Sequence, residues 1–143
     1  MNPTQTNTKE GPFNVLAGEN LTGMEGRIVK LTHDTGVAEV VLPNDVADDE
    51  LYVLLEGGAD GTQVTIEALS PHKQFRVRLD GTCNPGDDLT LAAIDGTNDG
   101  KVRTLPVAAD VYFLFLRAEE KGVDEQLVLV RPLLNARAVT VTE

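Results

Sequence analysis

The sequence predicts an all-β protein: a β-sandwich or small β-barrel of short antiparallel strands, preceded by an extended N-terminal arm. Three observations carry this. Short apolar stretches recur from Met24 onward at a spacing of roughly ten residues, the rhythm of sandwiches and barrels. Many of them alternate with period two, as in Val64-Thr65-Ile66, Phe75-Arg76-Val77-Arg78-Leu79 and Val139-Thr140-Val141, which sends one face inward and the other to water. The gaps hold turn formers: Asp34-Thr35-Gly36, the Gly57 to Gly61 run, Asp80-Gly81, Asn84-Pro85-Gly86 and Asp95 to Gly100, where glycine supplies positive φ and Asx side chains bond the backbone.

Taken in order, residues 1–12 are polar, with Pro3, Gly11 and Pro12 and no apolar side chain after Met1. Such a segment has nothing to bury and reads as an arm. Phe13, Val15, Leu16 and Leu21 are the first apolar anchors; they tether the arm to its own domain or to a neighbour. The division expected is an arm over 1–22 and a β domain over 23–143. Strands are expected over 27–32, 37–42, 51–56, 63–69, 74–80, 88–94, 102–105, 111–118, 127–131 and 136–141. Helix signals are thin: Asn44 to Glu50 suits one turn capped by Asn44 or Asp45, and Glu119 to Gln126 reads as a charged loop. The apolar runs Leu51 to Leu55 and Val111 to Leu116 suit either core or subunit interface, which look alike in sequence. The segments starting at Gly61 and Gly86 echo each other, and two strands entered by similar glycine turns explain that without duplication.

Composition narrows the function. The chain has 143 residues, 12 Lys+Arg against 23 Asp+Glu and a net charge of -11. Nucleic acid and anionic membrane surfaces repel such a protein, so neither is an expected partner. Nine acids and no Lys or Arg lie between Leu31 and His72; this is a solvated face or a surface that docks on a basic patch. Cys83 is the lone cysteine, so neither an intrachain disulfide nor a cysteine zinc site is available. The N-terminus has no basic segment followed by an apolar one, so synthesis in a cytoplasm is expected.

Motifs with chemical potential are weak. His33-Asp34-Thr35-Gly36 contains the Asp-Thr-Gly triplet of aspartic proteases, whose chemistry needs two carboxylates sharing a proton across a dimer. The flanks are polar where those proteases are apolar, and an ordinary hairpin turn explains the triplet. A protease dimer using Asp34 is kept as an alternative. Asp95 to Gly100 partly matches a calcium loop, but position twelve is Pro106 rather than Glu. Ser70-Pro71-His72 lacks nucleophile-elbow glycines, and no glycine-rich segment carries the Lys-Ser or Lys-Thr of a phosphate loop. The trimeric dUTP pyrophosphatases are β-rich and of similar size, but their Gly-Arg-Ser-Ser segment is missing. Glu119-Glu120 invites acid–base chemistry, yet with aromatics at 4% a sugar cleft has little to line it. No catalytic residue, metal site or cofactor is expected.

One pattern does resemble a known family. A polar arm leads into Gly-Arg-Ile-Val-Lys-Leu-Thr at 26–32. Gly-Asp turns then lead into Asn84-Pro85-Gly86-Asp87-Asp88-Leu89-Thr90-Leu91 and Asp95 to Val102. Arg117-Ala118-Glu119-Glu120 precedes the terminal Leu127-Val128-Leu129-Val130-Arg131-Pro132. This order resembles the head decoration, or cement, proteins of tailed bacteriophages over about Gly23 to Val141, with turn chemistry carrying most of the match. The resemblance implies a non-enzymatic protein on the virion exterior that binds the outer surface of the head and clamps adjacent major capsid subunits, commonly as a homotrimer. It points to Asn2, Pro3, Thr4, Gln5, Thr6, Asn7, Thr8, Phe13, Val15 and Leu16 as partner-binding residues. A tail or fibre attachment module is the alternative within virion proteins.

Overall fold

The computed structural model describes residues 11–33, 36–48 and 52–142. These residues form ten strands in two layers. β1 (Phe13–Ala17), β2 (Ile28–Thr32), β3 (Glu39–Val41), β4 (Tyr52–Glu56) and β5 (Gln63–Ala68) close into a barrel of order β1-β3-β2-β4-β5. β6 (Phe75–Arg78), β7 (Asp88–Leu91), β8 (Val102–Thr104), β9 (Asp110–Ala118) and β10 (Leu127–Val141) form an open sheet of order β6-β10-β9-β7-β8.

Every named strand pair is antiparallel except one: β1 runs parallel to β3, with Leu16 opposite Glu39 and Ala17 opposite Val40. The reason is parity. Five strands cannot alternate direction around a closed ring, so one pair must run parallel. β1 is the strand that closes the ring, antiparallel to β5 on its other side through Phe13↔Ile66 and Val15↔Val64. Closure leaves the barrel without a free edge.

Two apolar clusters result. Val15, Ala17, Leu21, Val29, Val40, Leu54, Val64 and Ile66 fill the barrel. Phe75, Val77, Leu79, Leu89, Leu91, Phe115, Leu116 and Val128 build the sheet core, and Ile28 and Val53 of the barrel join them. Successive strand residues point to opposite faces. Val29 and Leu54 therefore enter the barrel while Ile28 and Val53 face the sheet, and all four are at most 1% exposed. β2 and β4 are walls shared by both cores, which is why each carries a consecutive apolar pair. Burying each such side chain contributes roughly 1.5–3 kcal/mol.

Two expectations change in detail. Phe13 to Leu21, assigned by sequence to the arm, enters the barrel: β1 spans five of these residues, and Val15, Ala17 and Leu21 are buried. The segments expected over 127–131 and 136–141 are one strand, β10, whose ladder with β9 is interrupted between Pro132 and Arg137. The part of Asn44 to Glu50 that is described is a turn, closed by the Ala47 amide donating to Asp45 Oδ1 at 2.8 Å.

Candidate interaction surface at the arm exit

The expected partner-binding residues divide into two groups. Asn2, Pro3, Thr4, Gln5, Thr6, Asn7 and Thr8 lie outside the described residues. Phe13, Val15 and Leu16 sit on β1. Val15 points into the barrel and is committed to the fold, Leu16 is half-buried, and Phe13 is 39% exposed. The Phe13 ring meets Tyr52 edge-on, with centroids 6.1 Å apart. Asn14 beside it accepts a hydrogen bond from Thr65 Oγ1 at 3.0 Å.

Phe13 also lines a groove of about 1240 Å³. Gly11, Pro12 and Asn14 flank it on the β1 side, and residues from Glu67 to Lys73 form the other wall. That second wall includes Ser70 and His72 of the weak Ser70-Pro71-His72 motif, which the sequence does not mark as a contact surface. The wall is the end of β5 and the β5–β6 connection, which is tightened where the His72 amide donates to Ser70 Oγ at 3.3 Å and the Lys73 amide to the Ser70 carbonyl at 3.2 Å. Ser70 therefore serves its own turn. Lys73 pairs with the buried Glu67 carboxylate and lies 5.5 Å from the Phe75 ring centroid. The groove combines an aromatic side, a cation and a half-polar rim at the point where the arm joins the barrel. Such a surface suits an extended segment of another protein.

Other residues raised by sequence have structural partners. Glu119 accepts from Gln74 Nε2 at 2.9 Å and from Arg131 Nε at 3.3 Å; the Gln74 bond first, then Arg131, holds its carboxyl below the usual range. Glu120 accepts from the Leu129 amide at 3.1 Å and from Arg76 NH1 at 2.8 Å, and these lower its pKa in that order. The pair pins the β9–β10 connection. Asp95 accepts from the amides of Thr97 at 2.9 Å and Asn98 at 2.7 Å, while Asp99 accepts from those of Asp95 and Gly96. The calcium-like loop is thus a turn whose carboxylates bond its own backbone. Among the described residues no group of three or more His, Cys, Asp or Glu is placed to hold a metal ion. Asp34 and Thr35 lie outside the described residues.

No protein-family model and no curated protein matches the chain. Among solved structures, it is similar to the head fibre gp8.5 N base of bacteriophage phi29. The TM-score is 0.64 at 20% sequence identity, over 86% of this chain and 93% of that one. The two chains share a fold. Because the match spans nearly all of both, it includes barrel and sheet together rather than one common β motif.

Proposed function

We propose that the chain is a non-enzymatic structural protein of a tailed-phage virion, carried on the outside of the head and clamping adjacent major capsid subunits as a homotrimer. The observation that supports this most is the shared fold with a head fibre base over 86% of the chain. The sequence resemblance to decoration proteins points the same way. The arm and the groove beside Phe13 supply the contact surface. An arm with no core role can add an extended contact to a neighbour, and many copies on one shell turn modest contacts into firm retention. The acidic chain keeps decorated particles apart.

The test mixes purified protein with expanded heads and follows co-sedimentation. The intact chain sediments with heads, and removal of Met1 to Pro12 abolishes this while circular dichroism and melting temperature stay as they were. Undiminished binding by the truncated chain sinks the role of the arm; absence of binding by the intact chain sinks the head reading.

A fibre attachment module is the second reading, favoured because the similar structure is itself a fibre base. Immunogold labelling of particles separates the two: label spread over the head supports decoration, and label confined to fibre or tail roots supports attachment.

A further inference from the structure

Two leucines are turned outward by irregularities in otherwise regular strands. In β4 the ladder with β5 jumps from Leu54↔Ile66 to Glu56↔Thr65. Leu55 has no opposite number and is 41% exposed. In β10 the ladder with β9 jumps from Pro132↔Leu116 to Arg137↔Leu114, so residues 133–136 face Phe115 alone, and Leu134 is 86% exposed. A bulge breaks ladder bonds and re-aims a side chain, and bulges are designed features more often than defects.

Each of these two leucines has a charged residue close to it in sequence, and the charges are opposite. Glu56 is exposed next to Leu55 and has no ion-pair partner among the described residues. Arg137 follows Leu134 by three positions. Its guanidinium is 4.0 Å from Asp88 Oδ2, and that carboxylate is already engaged by Arg117 at 3.1 Å. Leu55 lies in the stretch between Leu31 and His72 that holds nine acids and no Lys or Arg; between Glu125 and Glu143 the two arginines are Arg131, which pairs with Glu119, and Arg137. Past Val130, β10 is also unpaired on its β6 side among the described residues.

We infer that the distal part of β10 docks on the β4 bulge of a second copy of this chain, with Leu134 set against Leu55 and Arg137 against Glu56. The two patches are different surfaces, one on the sheet and one on the barrel. The contact is therefore head-to-tail, the kind that closes into a ring when the rotation allows. The opposed charges fix the register and reject the like-charged alternatives. This rests on the oligomeric part of the proposed function and not on the identity of the shell.

The experiment measures the mass of the full chain by light scattering up to its solubility limit, for wild type, Arg137→Glu, Glu56→Lys and the double reversal. Both positions are exposed, and an unchanged melting temperature verifies each fold. The wild-type chain associates, each single reversal weakens association about tenfold or more, added salt weakens the wild-type contact, and the double reversal restores the mass. A monomeric wild-type chain, association indifferent to both single changes, or a double reversal that stays monomeric when both singles are monomeric overturns the contact. Binding to heads is scored separately. Heads bound by a chain that stays monomeric overturn this contact and leave the virion reading standing, whereas an associating chain that rescues in the double reversal but ignores heads supports the contact and sinks that reading.

Discussion

The amide of Ile28 donates to the carbonyl of Gly100 at 2.7 Å, and this bond ties the barrel to the sheet. Gly100 ends the β7–β8 turn with φ at +85°, and a Cβ there would lie 2.5 Å from the Ile28 carbonyl oxygen and 3.1 Å from Arg27 Cβ. Arg27 closes the same contact by donating from NH1 to the carbonyls of Thr97 at 3.1 Å and Asp99 at 3.0 Å. Backbone meets backbone here, so only glycine allows the two layers to approach this closely.

Gly100→Ala is therefore expected to cost about 2–4 kcal/mol, from positive-φ strain plus steric displacement of a buried strand. Gly96 lies in the same turn with φ at +82°, and a Cβ added there would meet nothing within 4 Å. Gly96→Ala should cost only about 1 kcal/mol, and Gly96→Asn less. Urea unfolding of the three variants checks this. Equal losses at Gly96 and Gly100 would remove the close approach as the cause.

Phe115 faces the β10 interruption and is fully buried, stacked against Phe113 with centroids 6.1 Å apart. Phe115→Ala is expected to cost about 3–5 kcal/mol by chemical denaturation, since the surrounding strands are tied into ladders and cannot collapse into the cavity. Leu134→Ala, removing the exposed bulge leucine beside it, should cost under about 0.5 kcal/mol. A large loss at Leu134 in the isolated chain would mean that the bulge itself carries stability.

Acid should loosen the β9–β10 connection first. Glu119 and Glu120 have folded pKa values held below the ordinary 4.5 by Gln74 with Arg131 and by the Leu129 amide with Arg76, respectively. A depressed carboxylate stabilises the fold fully above its unfolded value and loses that contribution as pH falls through the folded value. Melting temperature is thus expected to stay level from neutrality to about pH 5 and to fall below the ordinary carboxylate range. Glu120→Gln should lower it at neutral pH and make the acid fall shallower. An acid profile identical to wild type would remove Glu120 as a contributor.

Much of this fold is legible in the sequence because it is written locally. The strands β2 to β9 match expectation to within a few residues at each end, and turn glycines such as Gly61, Gly81 and Gly86 have positive φ as the turn chemistry requires. The echo between Gly61 and Gly86 is two strands, β5 and β7, entered from similar turns. What was not legible is non-local. β1 follows a polar arm and buries only small side chains beside Val15, so its pairing with β5 and β3 leaves little periodic signal. The single parallel pair follows from the number of strands in the ring, which no residue announces. Residues 132–135 fall between two strands expected as separate, yet Pro132 is buried opposite Leu116 and the chain continues through the bulge. Of the candidate surface, Phe13 and Val15 are both named by sequence as apolar anchors, yet Phe13 is 39% exposed and Val15 is spent on the barrel; on the opposite wall the only motif, Ser70-Pro71-His72, is a hydroxyl near an imidazole and says nothing of a groove.

Cys83 gives a direct readout of the integrity of the β9–β10 connection. It is 3% exposed, its Sγ lies 3.8 Å from the Glu120 carbonyl, and its backbone exchanges hydrogen bonds with Gly122 at 3.2 and 3.0 Å. Burial pushes the thiol pKa up from 9.0. At neutral pH the nucleophilic thiolate is therefore both scarce and covered. A thiol reagent should react slowly with the native chain and at once in denaturant, the native rate reporting local opening of the 119–126 segment. A Cβ at Gly122 would lie 2.7 Å from Leu79 Cδ2 and 3.1 Å from Cys83 Sγ, so Gly122→Ala forces the segment outward at about 1–3 kcal/mol and should speed native labelling. Labelling should also accelerate below the ordinary carboxylate range relative to a buried-thiol control, because protonating Glu120 releases the Leu129 amide and Arg76 that hold the cover down. Native labelling as fast as that of the unfolded chain would show that the 119–126 segment does not shield the thiol, and with it would go the acid-opening argument.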